Sequence, residues 1–329
     1  MGSPMPSRSI EFESERQFHK LYCENPEHLL SVEKSLGVKI VARGNLLLME
    51  GEGEPLNRAE EFFTLLQSAK EQGLVHGKFD FFRFLEQFNQ KDIRELKELL
   101  NRPLRLQIRK KSVVPRNLSQ RKFLDLILKN DLVFGIGPAG TGKTFLAMIV
   151  ALHALLEGEI ERIVLARPAV EAGEALGFLP GDLEEKLLPY LRPLYDAMDE
   201  VLGPVEARKL VETGVVEIAP LAYMRGRTLS KCFALLDEAQ NTTRSQMMMF
   251  LTRLGEGSKM VVTGDLTQVD LPPKQESGLR EAKRILHSVK GLHFHEFGHG
   301  DVVRHPLVSR IIAAYEDKDS EEKASKQKR

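Results

Sequence analysis

A run near the middle of the chain, Gly135-Ile136-Gly137-Pro138-Ala139-Gly140-Thr141-Gly142-Lys143-Thr144, constrains everything around it. It follows the apolar Leu132-Val133-Phe134 and precedes the amphipathic Phe145 to Leu156, so the local order is strand, tight loop, helix. From Gly137 to Thr144 the loop reads G-x-x-x-x-G-K-T. Glycines let backbone N–H groups turn inward and cradle phosphates. Lys143 would reach the β- and γ-phosphates and the Thr144 hydroxyl would ligate Mg²⁺. The helix that starts there points its positive dipole end at the same anion. The motif predicts that residues Gly137, Pro138, Ala139, Gly140, Thr141, Gly142, Lys143 and Thr144 hold a nucleoside triphosphate.

Composition narrows what else the chain can be. Its 329 residues allow two domains, or one with a large addition. A hydrophobic fraction of 42% with 29% charged residues fits a globular protein. Net charge is zero, so bulk charge makes no argument for nucleic acid and any basic surface must be local. Cys23 and Cys232 are far apart, which suits a reducing cytoplasm and supplies neither a disulfide framework nor a zinc site. The N-terminus has no signal-peptide core, and the longest apolar segment, Phe145 to Leu156, is shorter than the roughly 20 residues a bilayer requires. A cytoplasmic protein without a membrane anchor is expected.

The front of the chain has its own pattern. Residues 1–9 are Ser/Pro-rich and expected to be disordered. Ile10 to His19 reads as a strand, and Asn25-Pro26-Glu27 opens a helix that Gly37 ends. Val38 to Ala42 and Leu46 to Met49 are strands joined at Arg43-Gly44-Asn45, and Leu56 to Lys70 is a second helix. That order resembles the core of a KH RNA-binding domain over residues 10–72, although the G-x-x-G loop that grips RNA has no counterpart between Glu27 and Gly37. RNA binding and a degenerate module used for packing or protein contacts both remain open. Residues 73–113 read as a helical segment dense in Phe between Phe79 and Phe88, an aromatic cluster expected in a core or interface, followed by a basic linker. From Arg102 to Lys122 there are eight Lys or Arg and no acid, which is either a solvated linker or a phosphate-contacting strip.

After the loop, short apolar runs recur at Arg162–Ala166, Val215–Ile218, Phe233–Leu236, Met260–Thr263 and Leu292–Phe297. Separated by helical segments, they predict an α/β core with a mostly parallel sheet, whose ligands sit at the carboxyl ends of the strands. Leu235-Leu236-Asp237-Glu238 delivers two carboxylates at such an end. Asp237 would hold Mg²⁺ opposite Thr144, and Glu238 would orient or deprotonate the attacking water. In Thr263-Gly264-Asp265-Leu266-Thr267-Gln268, Asp265 and Gln268 could sense the γ-phosphate, or Asp265 could simply cap a turn. Upstream, Gln120 sits where an amide can read adenine, with Ser119 as a possible N-cap of the following helix. His293 and His295 share a strand face, which leaves a metal site open.

The order of these motifs resembles the first motor domain of superfamily 1 helicases, whose third motif is Gly-Asp-x-x-Gln. The closer resemblance is to the PhoH-like ATPase family. It is carried by Arg167-Pro168-Ala169-Val170-Glu171-Ala172-Gly173, Leu176 to Asp182, Pro189 to Leu194, Met224-Arg225-Gly226-Arg227-Thr228 and Asp301-Val302-Val303-Arg304-His305-Pro306. The resemblance implies a RecA-like P-loop NTPase core over residues 114–316, ATP hydrolysis and a link to RNA metabolism. Residues 317–329 mix both charges with almost no apolar residues and are expected to be a disordered tail. One core without a second motor unit predicts a ring, expected to be a hexamer, in which a neighbour's arginine completes the site. Arg304 is the first candidate, ahead of Arg225 and Arg227. Competing readings are an ATP-regulated scaffold for an endoribonuclease and a non-motor P-loop phosphotransferase.

Overall fold

The computed structural model describes residues 6–75, 77–90, 93–101, 103–168, 183–272 and 275–303. The chain divides after Leu104 into two compact units.

The first unit runs β1 (Ser7–Glu11), α1 (Glu15–Leu21), α2 (Pro26–Leu36), β2 (Lys39–Arg43), β3 (Leu46–Glu50), α3 (Gly53–Glu71), α4 (Lys78–Gln90) and α5 (Ile93–Asn101). Its sheet is antiparallel in the order β1-β3-β2. The expected strand from Ile10 to His19 instead runs from Ser7 to Glu11, so it starts within residues 1–9, which the sequence predicts to be disordered, and stops before α1. Ser14 accepts from the Gln17 N–H and so caps α1, which turns Phe18 and Leu21 into the core. Asn25 and Pro26 open α2, and Gly37 closes it in the left-handed region, as the sequence predicts. The helical segment expected here is two helices, with the aromatic cluster on α4. Phe81, Phe84 and Phe88 are buried, and Phe62 of α3 meets the Phe88 ring edge-on at 5.3 Å. The cluster is core, as expected, with Phe79 left exposed.

The second unit opens on a hairpin, β4 (Leu106–Ile108) and β5 (Lys111–Val113). The basic run Arg109-Lys110-Lys111 lies at its turn rather than in an open linker. There Arg109 pairs with Glu206 at 2.8 Å and Lys111 donates to the Glu200 carbonyl. Then follow α6 (Leu118–Lys129), β6 (Leu132–Ile136), α7 (Lys143–Leu156), β7 (Arg162–Arg167), α8 (Leu183–Leu202), α9 (Pro204–Glu212), β8 (Val216–Pro220), β9 (Cys232–Leu236), α10 (Arg244–Leu251), β10 (Lys259–Gly264), α11 (Gly278–Leu286) and β11 (Leu292–Glu296).

Six of these strands form one sheet in the order β11-β6-β10-β9-β7-β8, every neighbouring pair parallel. Each expected strand after the loop is present to within a residue or two. This is a RecA-like P-loop core. The strands are near-continuous apolar runs because helices cover both faces; Cys232 to Leu236 are all buried. Two features place the site. The phosphate-loop strand β6 lies between β11 and β10, and β10 separates it from β9, so the loop and the Asp237-Glu238 pair flank the carboxyl end of β10.

Candidate active site

The glycines of the loop do what the motif requires of them. Gly140 and Gly142 hold φ of 84° and 85°, and Gly137 sits at 154° with its N–H on the Gly264 carbonyl at 3.1 Å. A Cβ on Gly137 would lie 2.6 Å from Phe297 Cβ. The loop is therefore fixed by what packs behind it as well as by its own dihedrals. Lys143 starts α7, and its ammonium donates to the carbonyls of Gly137 at 2.6 Å and Pro138 at 2.8 Å. A phosphate entering the loop offers that ammonium a charged acceptor in place of two neutral ones.

Asp237, 6% exposed, takes two hydroxyl hydrogen bonds on Oδ1, from Thr144 at 2.6 Å and Thr263 at 2.8 Å. The helix after the phosphate loop, the carboxylate strand and the strand between them thus converge on one oxygen. Glu238 leaves β9 in the left-handed region with φ 52°. Its Oε1 pairs with Arg167 at 3.1 Å and its Oε2 accepts from Gln240 at 2.5 Å. Gln240 in turn accepts from the Asp265 N–H at 3.0 Å. Asp265 accepts from the Ala139 N–H at 3.0 Å, so the third motif reaches the phosphate loop directly.

These groups line a cavity of about 460 Å³. Its wall includes Ala139, Gly140, Gly142, Lys143 and Thr144 of the loop region, Arg167, Asp237, Glu238, Asp265 and Gln268 at strand ends, and Asp196 and Glu200 of α8. No cluster of His, Cys, Asp or Glu fit to hold a metal by itself occurs among the described residues, so the histidine pair of β11 makes no such site there. His295 instead bonds the Ser119 hydroxyl at 3.0 Å and stacks on Phe123; burial holds its imidazolium below the usual range. Ser119 is accordingly not the cap of α6. Asn117 is, accepting from the Gln120 N–H at 2.8 Å.

Gln120 is only 5% exposed, and its amide donates to the Thr141 carbonyl at 3.0 Å while accepting from the Arg116 N–H at 2.8 Å. In this arrangement it braces the loop. Of the expected arginines, Arg227 forms a two-pronged pair with Glu217 at 2.5 and 2.7 Å, which lowers the Glu217 pKa, and Arg225 is exposed; neither lines the cavity. Arg304 lies outside the described residues.

The model of the family described as "PhoH-like protein" matches residues 112–316. The chain belongs to the PhoH-like family. It is 46% identical to a PhoH-like protein of Bacillus subtilis over 90% of this chain and 93% of that one. It is 48% identical to one of Mycobacterium tuberculosis over 88% and 82%. Among solved structures, the UvsW helicase from Bacteriophage T4 gives a TM-score of 0.37 at 12% identity, covering 64% of this chain and 71% of that chain. With this membership and the geometry above, the PhoH-like chain is a P-loop NTPase.

Some residues that line or brace this PhoH-like site escape a reading by motif. Arg167 opens one of the family segments without declaring a partner. Gln240 and Thr263 adjoin recognised motifs, and Asp196 and Glu200 sit one helical turn apart on α8. The available signal was position: each lies at or near the carboxyl end of a strand, or on a helix facing one.

Proposed function

We propose that this protein is a Mg²⁺-dependent ATPase whose hydrolysis is coupled to binding and remodelling RNA. The observation that carries the reading is Asp237 hydrogen-bonded to Thr144 with Glu238 next in sequence, both on the wall of the cavity that the phosphate loop lines. In the reaction the water oxygen bonds the γ-phosphorus as the bond to the bridging oxygen breaks. Glu238 takes the water's proton and the diphosphate leaves. Lys143 holds the phosphates. The Thr144 hydroxyl and Asp237 carboxylate are hard oxygen donors that fit Mg²⁺, which would neutralise charge on the phosphates. A carboxylate beside the metal-holding Asp favours water over a second substrate as acceptor, which argues against the phosphotransferase reading. Asp265 and Gln268 would sense the γ-phosphate, and Gln120 would read adenine with its amide while bracing the loop at Thr141.

The RNA part of the reading rests on the family link and on the first unit, whose β-α-α-β-β-α order and antiparallel sheet support the KH-like assignment. The turn between its first two helices, Tyr22 to Asn25, contains no glycine and carries Glu24, so RNA would be gripped elsewhere. No helix among the described residues is long and apolar enough to cross a membrane. A cytoplasmic ring of six copies, with a nuclease as a possible partner, completes the proposal.

The test is ATP turnover with and without single-stranded RNA. Lys143→Ala and Glu238→Gln should each lower kcat at least about 10²-fold, the second while ATP stays bound. Turnover indifferent to RNA would leave an ATPase without the RNA coupling. Full activity in Glu238→Gln would remove the general-base assignment.

A further inference from the structure

Among the described residues that line the cavity, the cationic side chains are Lys143 and Arg167. Lys143 belongs to the phosphate loop. Arg167 is the last residue of β7, and the sheet explains why it points where it does. Parallel register sets Ala166 beside Leu236, and the Asp237 N–H donates to the Ala166 carbonyl at 2.9 Å. Arg167 and the Asp237-Glu238 pair therefore leave the sheet side by side.

Glu238 makes its turn in left-handed backbone, a conformation that is strained for a residue with a side chain and persists where the surroundings over-determine it. The turn brings the carboxylate to the Arg167 guanidinium at 3.1 Å, and Gln240 holds the other oxygen at 2.5 Å. Both oxygens of the group that must accept a proton from water are thus engaged. One of them is held by an arginine that already lines the phosphate cavity. Arginine is suited to exchange here, because its planar fork bonds carboxylate and phosphate oxygens in the same geometry.

We propose that Arg167 is the arginine that contacts the γ-phosphate, and that Glu238 holds it until a triphosphate enters the loop. The inference rests on the reading above, in which a triphosphate occupies the loop and Glu238 activates water. The terminal phosphate draws the guanidinium off Glu238 Oε1, and that oxygen becomes available to the attacking water. One exchange places positive charge at the transferred group and releases the base. A diphosphate, lacking the terminal group, leaves the pair intact. An arginine from a neighbouring copy then becomes an addition to the site instead of a requirement.

The experiment measures affinity rather than turnover, on the full chain with Mg²⁺, using a non-hydrolysable ATP analogue and ADP as probes. Arg167→Ala should weaken the analogue by roughly tenfold or more, the worth of a charge-assisted hydrogen bond, and leave ADP unchanged. Glu238→Gln should tighten the analogue by removing the ion pair between Glu238 and the arginine, and the tightening should vanish in the double variant. Arg167→Lys, which keeps charge without the fork, should fall between wild type and Arg167→Ala; with Glu238→Gln it carries the test if Arg167→Ala fails to fold. Equal weakening of both nucleotides by Arg167→Ala, or tightening by Glu238→Gln that survives without Arg167, overturns the inference while leaving the ATPase reading in place. A wild-type chain that binds neither nucleotide overturns both.

Discussion

At the scale of single residues, the site is a set of short polar contacts whose donors come from different elements of the fold. Lys143, Asp237 and Glu238 were legible in the sequence because the chemistry of each is declared by its immediate neighbours: a glycine loop, or an apolar strand ending in two carboxylates. Arg167 and Thr263 were not, because their partners lie on adjacent strands and nothing in the chain says which strands are adjacent. Gln120 shows a subtler gap. Its place upstream of the loop was readable, but its burial and its bond to the Thr141 carbonyl depend on how α6 docks. His295 supports a prediction at this scale. Burial lowers its folded pKa, so below the free value of about 6.5 the unfolded chain takes up a proton that the folded one refuses. Stability contributed by this group is whole above that pH and is lost as pH falls toward the lowered folded value. Urea unfolding between pH 7.5 and 5 should show a smaller acid-side loss for His295→Phe than for wild type; identical pH slopes would assign the acid sensitivity to other groups.

At the scale of elements, most strands of the core were readable as short apolar runs, and the structure places them within a residue or two. An exception in the first unit is instructive. Ile10 to His19 carries Phe12 and Phe18, which alternation alone cannot divide between a strand and a helix. The Ser14 cap and the inward side of α1 settle it. The end of β10 supports a second prediction. A Cβ at Gly264 would lie 2.5 Å from Leu279 Cδ2 and 2.8 Å from Gln240 Oε1. Gly264→Ala should therefore cost about 1–3 kcal/mol by overpacking, read as a lowered denaturant midpoint. It should also reduce turnover, because the displaced Gln240 links Glu238 to Asp265. Turnover at the wild-type rate in a destabilised but folded Gly264→Ala protein would sever that link from function.

At the scale of the whole molecule, the described residues form one RecA-like core, and the proposed function calls for a second arginine from outside it. Assembly is the expected answer, and light scattering with ATP and Mg²⁺ present should report a multiple of the 37.2 kDa chain, expected near six. A monomer under those conditions would remove the ring and leave Arg167 as the arginine of the site. The sequence by itself determined the phosphate loop, the paired carboxylates, the run of buried strands and the family, because each is written in contacts between residues close along the chain. Only the tertiary structure decided that β10 lies between the loop strand and the carboxylate strand, that Thr144 and Thr263 share one oxygen of Asp237, and that Arg167 holds Glu238. Strand order is settled by the packing of the whole sheet against its helices, an energy spread over residues far apart in sequence, so no local pattern records it.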